Sequence, residues 1–151
     1  MKLKIFLGSD HAGFELKEYV KKYLLKSGMK VEDEGAHKLE PDDDYPDFIV
    51  PVAKKVAEDP DNSRGIIFGA SGQGEAIAAN KVKGTRAALY YGGNMEIVKL
   101  SRTHNNANIL SLGARFLTKN EAIEAVKSWL ATGFSNEARH TRRINKISKI
   151  K

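Results

Sequence analysis

The chain lacks cysteine altogether and has only one tryptophan and four prolines among its 151 residues. The absence of cysteine excludes a disulfide framework, a thiolate nucleophile and every metal site with cysteine ligands. A chain of this length buries roughly 70% of the surface that it exposes when unfolded, so one core can stabilise it without cross-links. We therefore predict a single domain over residues 1–151.

Long apolar runs are also missing from the sequence. No segment approaches the roughly 18 consecutive apolar residues that a membrane helix needs. The first ten residues, MKLKIFLGSD, contain an apolar run too short for a signal peptide, because Gly8 and Asp10 interrupt it. We therefore expect a cytoplasmic protein that does not bind a membrane.

Acidic residues are absent from the end of the chain. The formal net charge is +6, yet residues 1–138 carry equal numbers of basic and acidic side chains, so the excess lies in residues 139–151. We predict that this tail forms a basic helix over about residues 136–150. The tail lacks interleaved aromatic residues and the body is neutral, which argues against binding to nucleic acid.

Short apolar runs alternate with segments of helical periodicity, a pattern typical of repeated β-α units. We predict strands over residues 3–7, 29–34, 66–68, 86–91 and 109–112. The helices are predicted to follow residue 13, to begin near residue 46, and to span residues 75–81, 94–104 and 119–132. Uniformly apolar strands are buried on both faces, as in a parallel sheet covered by helices. The predicted fold is α/β, a three-layer α/β/α sandwich with a five-stranded parallel Rossmann-like sheet.

Two glycine-bearing loops, residues 8–13 and 69–74, follow predicted strands at the edge of the sheet where ligands bind in such folds. Each could receive an anion on backbone N–H groups at the start of a helix. Neither has a standard nucleotide motif. Phe14 and Glu15 stand where a P-loop needs Lys and Ser or Thr, and Ile77 replaces the third glycine of the dinucleotide motif.

Several polar residues in these loops have both a structural and a chemical interpretation. Asp10 and Ser71 could simply cap the helices that follow, and Glu75 could complement a helix dipole. His104 lies at the end of its helix, where as a cation it could complement the negative end of the helix dipole. No pair of histidines has the HExxH spacing of a zinc site, so we predict no metal.

The assembled motifs resemble the ribose-5-phosphate isomerase B family, which also includes galactose-6-phosphate isomerase subunits and allose-6-phosphate isomerase. The resemblance rests on GSDHAG at 8–13, DYP at 44–46, GASGQGEAIAANK at 69–81, HNNAN at 104–108, GAR at 113–115 and RHTRR at 139–143. It implies interconversion of a phosphorylated aldose and its ketose through an enediol, without metal or organic cofactor. It also implies a homodimer or a dimer of dimers with active sites built from both chains.

The resemblance also implies catalytic roles. Many members of the family place a cysteine base directly after the third strand, where this chain has Gly69. A second subgroup is similar to this sequence in having a glutamate one helical turn later, which makes Glu75 the expected base. Ser71, with the neighbouring backbone N–H groups, is expected to bind the oxyanion, and Asp10 and His104 are expected to open the sugar ring.

The remaining residues implied by the resemblance are substrate contacts. The expected contacts to the sugar, the oxyanion and the phosphate are His11, Tyr45, Gly72, Gly74, Asn105, Arg115, Arg139, His140 and Arg143. On a helix the last three share one face and could clamp an anion, although a solvated basic face is the commoner occurrence.

Three other functions remain open from the sequence. The first is an isomerase for a six-carbon sugar phosphate, for which the small residues of the loop at 91–94 could leave room. The second is a nucleic-acid-binding module that uses the basic tail. The third is a nonenzymatic protein that binds a phosphate ligand, and such a protein would have no use for Glu75.

Overall fold

The computed structural model describes residues 3–151, which contain a single sheet of five parallel strands in the order β2-β1-β3-β5-β4. The strands are β1 (Lys4–Ser9), β2 (Lys30–Asp33), β3 (Ser63–Gly69), β4 (Ala87–Tyr90) and β5 (Ile109–Gly113). The predicted α/β fold with a five-stranded parallel sheet is confirmed.

Helices cover both faces of the sheet. They are α1 (Phe14–Lys26), α2 (Pro46–Glu58), α3 (Gln73–Asn80), α4 (Glu96–Thr103), α5 (Lys119–Ala131) and α6 (Ala138–Ser148), with a 3-10 turn at Ala114–Phe116. One apolar cluster packs α1, α4 and α5 against the sheet around the buried Trp129. A second cluster packs α2 and α3 against the other face. Across residues 3–151, no helix combines the length and the apolar character needed to cross a membrane.

Strand β3 is longer than its apolar run. It begins at Ser63, whereas the sequence pattern places its start at residue 66. The extra residues are polar, but they pair in register with β1, Ser63 opposite Lys4 and Arg64 opposite Ile5. The prediction of this boundary is wrong because backbone pairing continues beyond the residues that the hydrophobic pattern marks.

Two helix boundaries also bear on the site. Helix α3 begins at Gln73, two residues before the predicted start at Glu75, because Gly72 adopts a left-handed conformation (φ 79°) at its N-cap. Only glycine adopts that conformation at little cost. The basic tail forms helix α6 (Ala138–Ser148), which lies inside the predicted range of residues 136–150.

Parallel strands give the sheet two different edges. The loops after β1, β3 and β5 emerge at the carboxyl edge, and the helices return the chain to the amino edge. Helix α4 therefore ends at the amino edge, where His104 is its C-cap residue, shortly before β5 begins. A five-residue strand rises about 3.3 Å per residue, so the two edges lie about 16 Å apart.

Candidate active site

The buried carboxylate of Glu75 is at the centre of the carboxyl-edge site. Glu75 lies in the first turn of α3 and its side chain is only 4% exposed. Its carboxylate fills the space that a Cβ on residue 69 would occupy, so a side chain at position 69 would have to displace it. Burial, together with the nearby charge of Asp10, raises the pKa of Glu75. A carboxylate with a raised pKa is a stronger base when ionised.

Asp10 follows β1 and is 7% exposed. Its Oδ1 accepts a hydrogen bond from the N–H of Gly13 at 3.1 Å, which closes the turn before α1, whereas the N-cap residue of the helix is Gly13 and no side chain caps it. This hydrogen bond occupies one oxygen of the carboxylate. The same side chain is close enough to Glu75 to raise the pKa of that residue. Asp10 therefore holds the turn before α1 and also acts on Glu75.

The loop at 69–74 is held in place by its neighbours. Ser111 donates its Oγ hydrogen to the carbonyl of Gly72 at 2.6 Å, and the N–H of Arg115 donates to the carbonyl of Ala70 at 3.0 Å. The Ser71 hydroxyl accepts weakly from the N–H of Gln73 at 3.3 Å. Two carbonyls of this loop are thus tied to β5 and to the turn after it, while the first N–H groups of α3 have no acceptor within the helix, as in every helix.

Three further predicted contacts lie at the carboxyl edge. The Tyr45 ring lies against Gly74 so closely that a side chain at position 74 would collide with it. His11 directly follows Asp10, and Arg115 on the 3-10 turn is close enough for its charge to act on the His11 ring. One chain therefore brings together Asp10, His11, Tyr45, residues 69–75 and Arg115.

The other predicted residues form a second group at the amino edge. The rings of His104 and His140 are 4.2 Å apart between centroids, with an interplanar angle of 35°. His140 is 4% exposed and its Nδ1 lies 2.9 Å from the Ser135 hydroxyl. Burial, reinforced by His104, lowers the pKa of His140. The lowered pKa favours the neutral form of the His140 ring.

The arginines of the tail project from the same region. Arg139 and Arg143 are exposed, as is Asn105 in the loop after α4. Arg139 donates from Nε to Oε2 of Glu137 at 3.0 Å. Within one chain this group stands at the edge of the sheet opposite Asp10 and Glu75. A single copy therefore presents two groups of predicted site residues that face different ways.

Sequence reasoning missed Asp43. Its Oδ1 accepts hydrogen bonds from the backbone N–H of His11 at 2.9 Å and from His11 Nδ1 at 2.7 Å. The available signal was the run of three aspartates directly before Tyr45. Asp10, His11 and Asp43 also form the one cluster within residues 3–151 whose ligand atoms, all within 4.8 Å of one another, could hold a metal ion. The His11–Asp43 hydrogen bond already engages two of those ligands, and the absence of a metal remains a prediction.

Comparison with known proteins places this arrangement in a family. The model of the Ribose/Galactose Isomerase family matches residues 5–147. The chain belongs to this family. A relative from Mycolicibacterium paratuberculosis, ribose-5-phosphate isomerase B, is 44% identical over 147 residues that cover 97% of this chain and 91% of the relative.

Solved structures of the Ribose/Galactose Isomerase family agree with the fold. Ribose-5-phosphate isomerase B from Mycoplasma genitalium, solved with bound ribulose-5-phosphate, has a TM-score of 0.93 and 41% identity, covering 99% of this chain and 96% of that one. The ribose 5-phosphate isomerase of Thermotoga maritima has a TM-score of 0.91 and 42% identity, covering 99% and 100%. The likeness therefore extends over the whole fold.

Proposed function

We propose that this chain interconverts ribose 5-phosphate and ribulose 5-phosphate, with Glu75 as the base. The observation that carries the proposal is the buried carboxylate of Glu75, which takes the place of a side chain at position 69 and lies beside Asp10. The family resemblance assigns the base to the side chain at position 69 in many members. In this chain a carboxylate reaches the same point from one helical turn further along.

The chemistry follows from this placement. Asp10 and His104 exchange protons with the ring oxygen and the anomeric hydroxyl, which opens the cyclic sugar. Glu75 takes the proton from C2 of the aldose, and the electron pair of that C–H bond forms the enediolate. The N–H groups of residues 70–74 and the Ser71 hydroxyl stabilise the negative oxygen. Transfer of the C2 hydroxyl proton to O1 and return of the carbon-bound proton from Glu75 to C1 give the ketose.

The remaining contacts bind the substrate. Tyr45 and Asn105 hydrogen-bond to sugar hydroxyls in this proposal. Gly72 and Gly74 offer their backbone N–H groups without a side chain to block access. The phosphate is held by His11, Arg115, Arg139, His140 and Arg143, of which the arginines offer bidentate contacts. Neutral His140 contributes a hydrogen bond and no charge.

The proposal requires two copies of the chain. Asp10 and Glu75 lie at the carboxyl edge, whereas His104 lies at the amino edge about 16 Å away by the rise of the strands. A substrate the size of a pentose phosphate does not bridge that separation through the sheet. We therefore place His104, Asn105 and the tail arginines of a second copy over the Glu75 crevice. A homodimer with twofold symmetry completes two such sites.

A substrate comparison tests the proposed function. Purified protein assayed in EDTA with ribose 5-phosphate, allose 6-phosphate and galactose 6-phosphate should give the highest kcat/KM with ribose 5-phosphate. EDTA should leave that value unchanged, because no step of the mechanism uses a metal. A preference for either six-carbon substrate would reassign the function within the family, and turnover of none of the three would exclude the isomerase proposal.

Replacing Arg139 tests the phosphate contacts. Arg139→Ala should raise the KM for ribose 5-phosphate by about tenfold, because a charge-assisted contact to the phosphate is lost, and should change kcat less. Steady-state kinetics with Arg142→Ala as control, an exposed arginine of the same helix, provide the comparison. An unchanged KM in Arg139→Ala would show that Arg139 pairs only with Glu137.

A further inference from the structure

The contact between His11 and Asp43 joins two parts of the chain that are 32 residues apart. One carboxylate oxygen of Asp43 accepts two hydrogen bonds from the same histidine, from its backbone N–H and from Nδ1 of its ring. The Asp43 side chain is 10% exposed and the His11 side chain 33% exposed. This geometry fixes the rotation of the ring and leaves Nε2 as its remaining hydrogen-bonding nitrogen.

We propose that Asp43 is a positioning residue that holds His11 as a fixed imidazolium, with Nε2 free to bind the phosphate of the substrate. The proposal rests on the proposed function, because it assumes that His11 contacts the phosphate. Asp43 itself does not touch the substrate. It acts only through His11, because it fixes the position of the ring nitrogen Nε2 that donates a hydrogen bond to the phosphate.

The charges around His11 support this role. The hydrogen bond to Asp43 is the largest influence and raises the pKa of His11, and the charge of Asp10 acts in the same direction. Partial burial and the charge of Arg115 lower it, but the net pKa of His11 is above its ordinary value. A histidine with a raised pKa stays protonated to higher pH, and a bound phosphate would hold the proton more firmly still.

The second carboxylate oxygen of Asp43 also bears on its role. Asp43 Oδ2 is buried and has no hydrogen-bond partner among residues 3–151. Burial without a partner is costly for a carboxylate oxygen. Within the described residues, no lysine or arginine forms an ion pair with Asp43, which pairs with His11. The carboxylate therefore acts on His11 without competition.

The loop that carries Asp43 is anchored at both ends. Near its start, Ser9 exchanges two backbone hydrogen bonds of 2.8 Å with Gly35 and Ala36. The fully buried Lys17 donates to the carbonyl of Ala36 at 2.7 Å. At its end the Tyr45 ring packs on Gly74. Anchoring of this kind is what a supporting residue needs in order to hold another side chain in place.

The first experiment measures the titration of His11 by NMR in the free protein, which requires no turnover. In Asp43→Asn the pKa of His11 should fall by about one unit or more, because an amide cannot stabilise the imidazolium as a carboxylate does. The matched control is Asp42→Asn, which removes an exposed aspartate of the same loop and should leave the titration of His11 unchanged.

The second experiment measures phosphate binding and kinetics at pH 7.5. Asp43→Asn should weaken the binding of inorganic phosphate and raise the KM for ribose 5-phosphate, each by about three- to tenfold, with kcat within about twofold of wild type. In a His11→Gln background the same substitution should have no further effect, because Asp43 acts through His11.

Several results would overturn the proposal. The first is a His11 titration that is the same in Asp43→Asn as in wild type. The second is a fall in kcat of Asp43→Asn with an unchanged KM, because this would make His11 an acid or base of the reaction. If Asp43→Asn does not fold, the wild-type titration decides, since a pKa of His11 at or below its ordinary value contradicts the proposal. Failure of the isomerase assay would leave the NMR and phosphate measurements intact, so the two proposals can fail separately.

Discussion

Replacing Glu75 by glutamine should lower kcat for ribose 5-phosphate by roughly 10²–10⁴-fold, the range over which positioned acid–base groups contribute. The amide has nearly the shape of the carboxylate and fits the space left by Gly69, but it cannot accept the C2 proton. Substrate binding should persist, so the KM should change much less than kcat. Steady-state kinetics over a range of ribose 5-phosphate concentrations separates the two parameters.

The matched control is Glu124→Gln, an exposed glutamate in a helix remote from the crevice, which should leave kcat at the wild-type value. Thermal unfolding of Glu75→Gln establishes whether the variant is folded. The amide removes the buried charge that Asp10 disfavours, so we expect its stability to be at least that of the wild type. A folded Glu75→Gln variant with kcat within a few-fold of wild type would exclude Glu75 as the base.

Mixing two inactive variants should restore activity if each active site is built from two chains. Glu75→Gln and His104→Asn should each be nearly inactive alone. After subunit exchange in a one-to-one mixture, about a quarter of wild-type activity should return, because half of the randomly paired dimers are hybrids and each hybrid contains one intact site. The measurement is the ribose 5-phosphate isomerase rate before and after denaturation and joint refolding.

A second mixture provides the control. Asp10 and Glu75 lie at the same edge of one chain, so every hybrid of Asp10→Asn with Glu75→Gln has a defect in both sites. That mixture should stay inactive under the same refolding protocol. If neither mixture regains activity although mass spectrometry demonstrates hybrid dimers, Glu75 and His104 do not serve a shared site.

The fold could be predicted from the sequence because its three central strands, β1, β3 and β5, contain apolar, buried segments. Burial of β1, β3 and β5 requires apolar side chains, and this pattern can be recognised in the sequence without knowing which strands are neighbours. Ser63 and Arg64 carry no such signal, and they belong to β3 only because β1 pairs with them. The burial of Lys17 could not be predicted for a similar reason. It is fully buried because Asp33 and the carbonyl of Ala36 receive its ammonium group, and a charged residue otherwise predicts an exposed position.

The candidate site was predicted less completely. Asp10 directly follows β1, and Glu75 lies in the first turn of the helix after β3, so the topology of a parallel sheet brings the two together. Asp43 lies in a long irregular loop, whose path onto His11 depends on contacts that no local pattern encodes. The placement of His104 at the amino edge, by contrast, follows from the predicted order of elements, because a helix between two parallel strands must end at the edge where the next strand starts.

The position of the Glu75 carboxylate has a consequence for how the protein withstands oxidation. A thiol at position 69 would be open to conversion by peroxide to sulfenic and then sulfinic acid, and the second of these steps is generally irreversible. The carboxylate that fills this space has no comparable oxidation chemistry. A chain with this geometry keeps its proposed proton acceptor under conditions in which a thiol-based relative would need a reductant to recover.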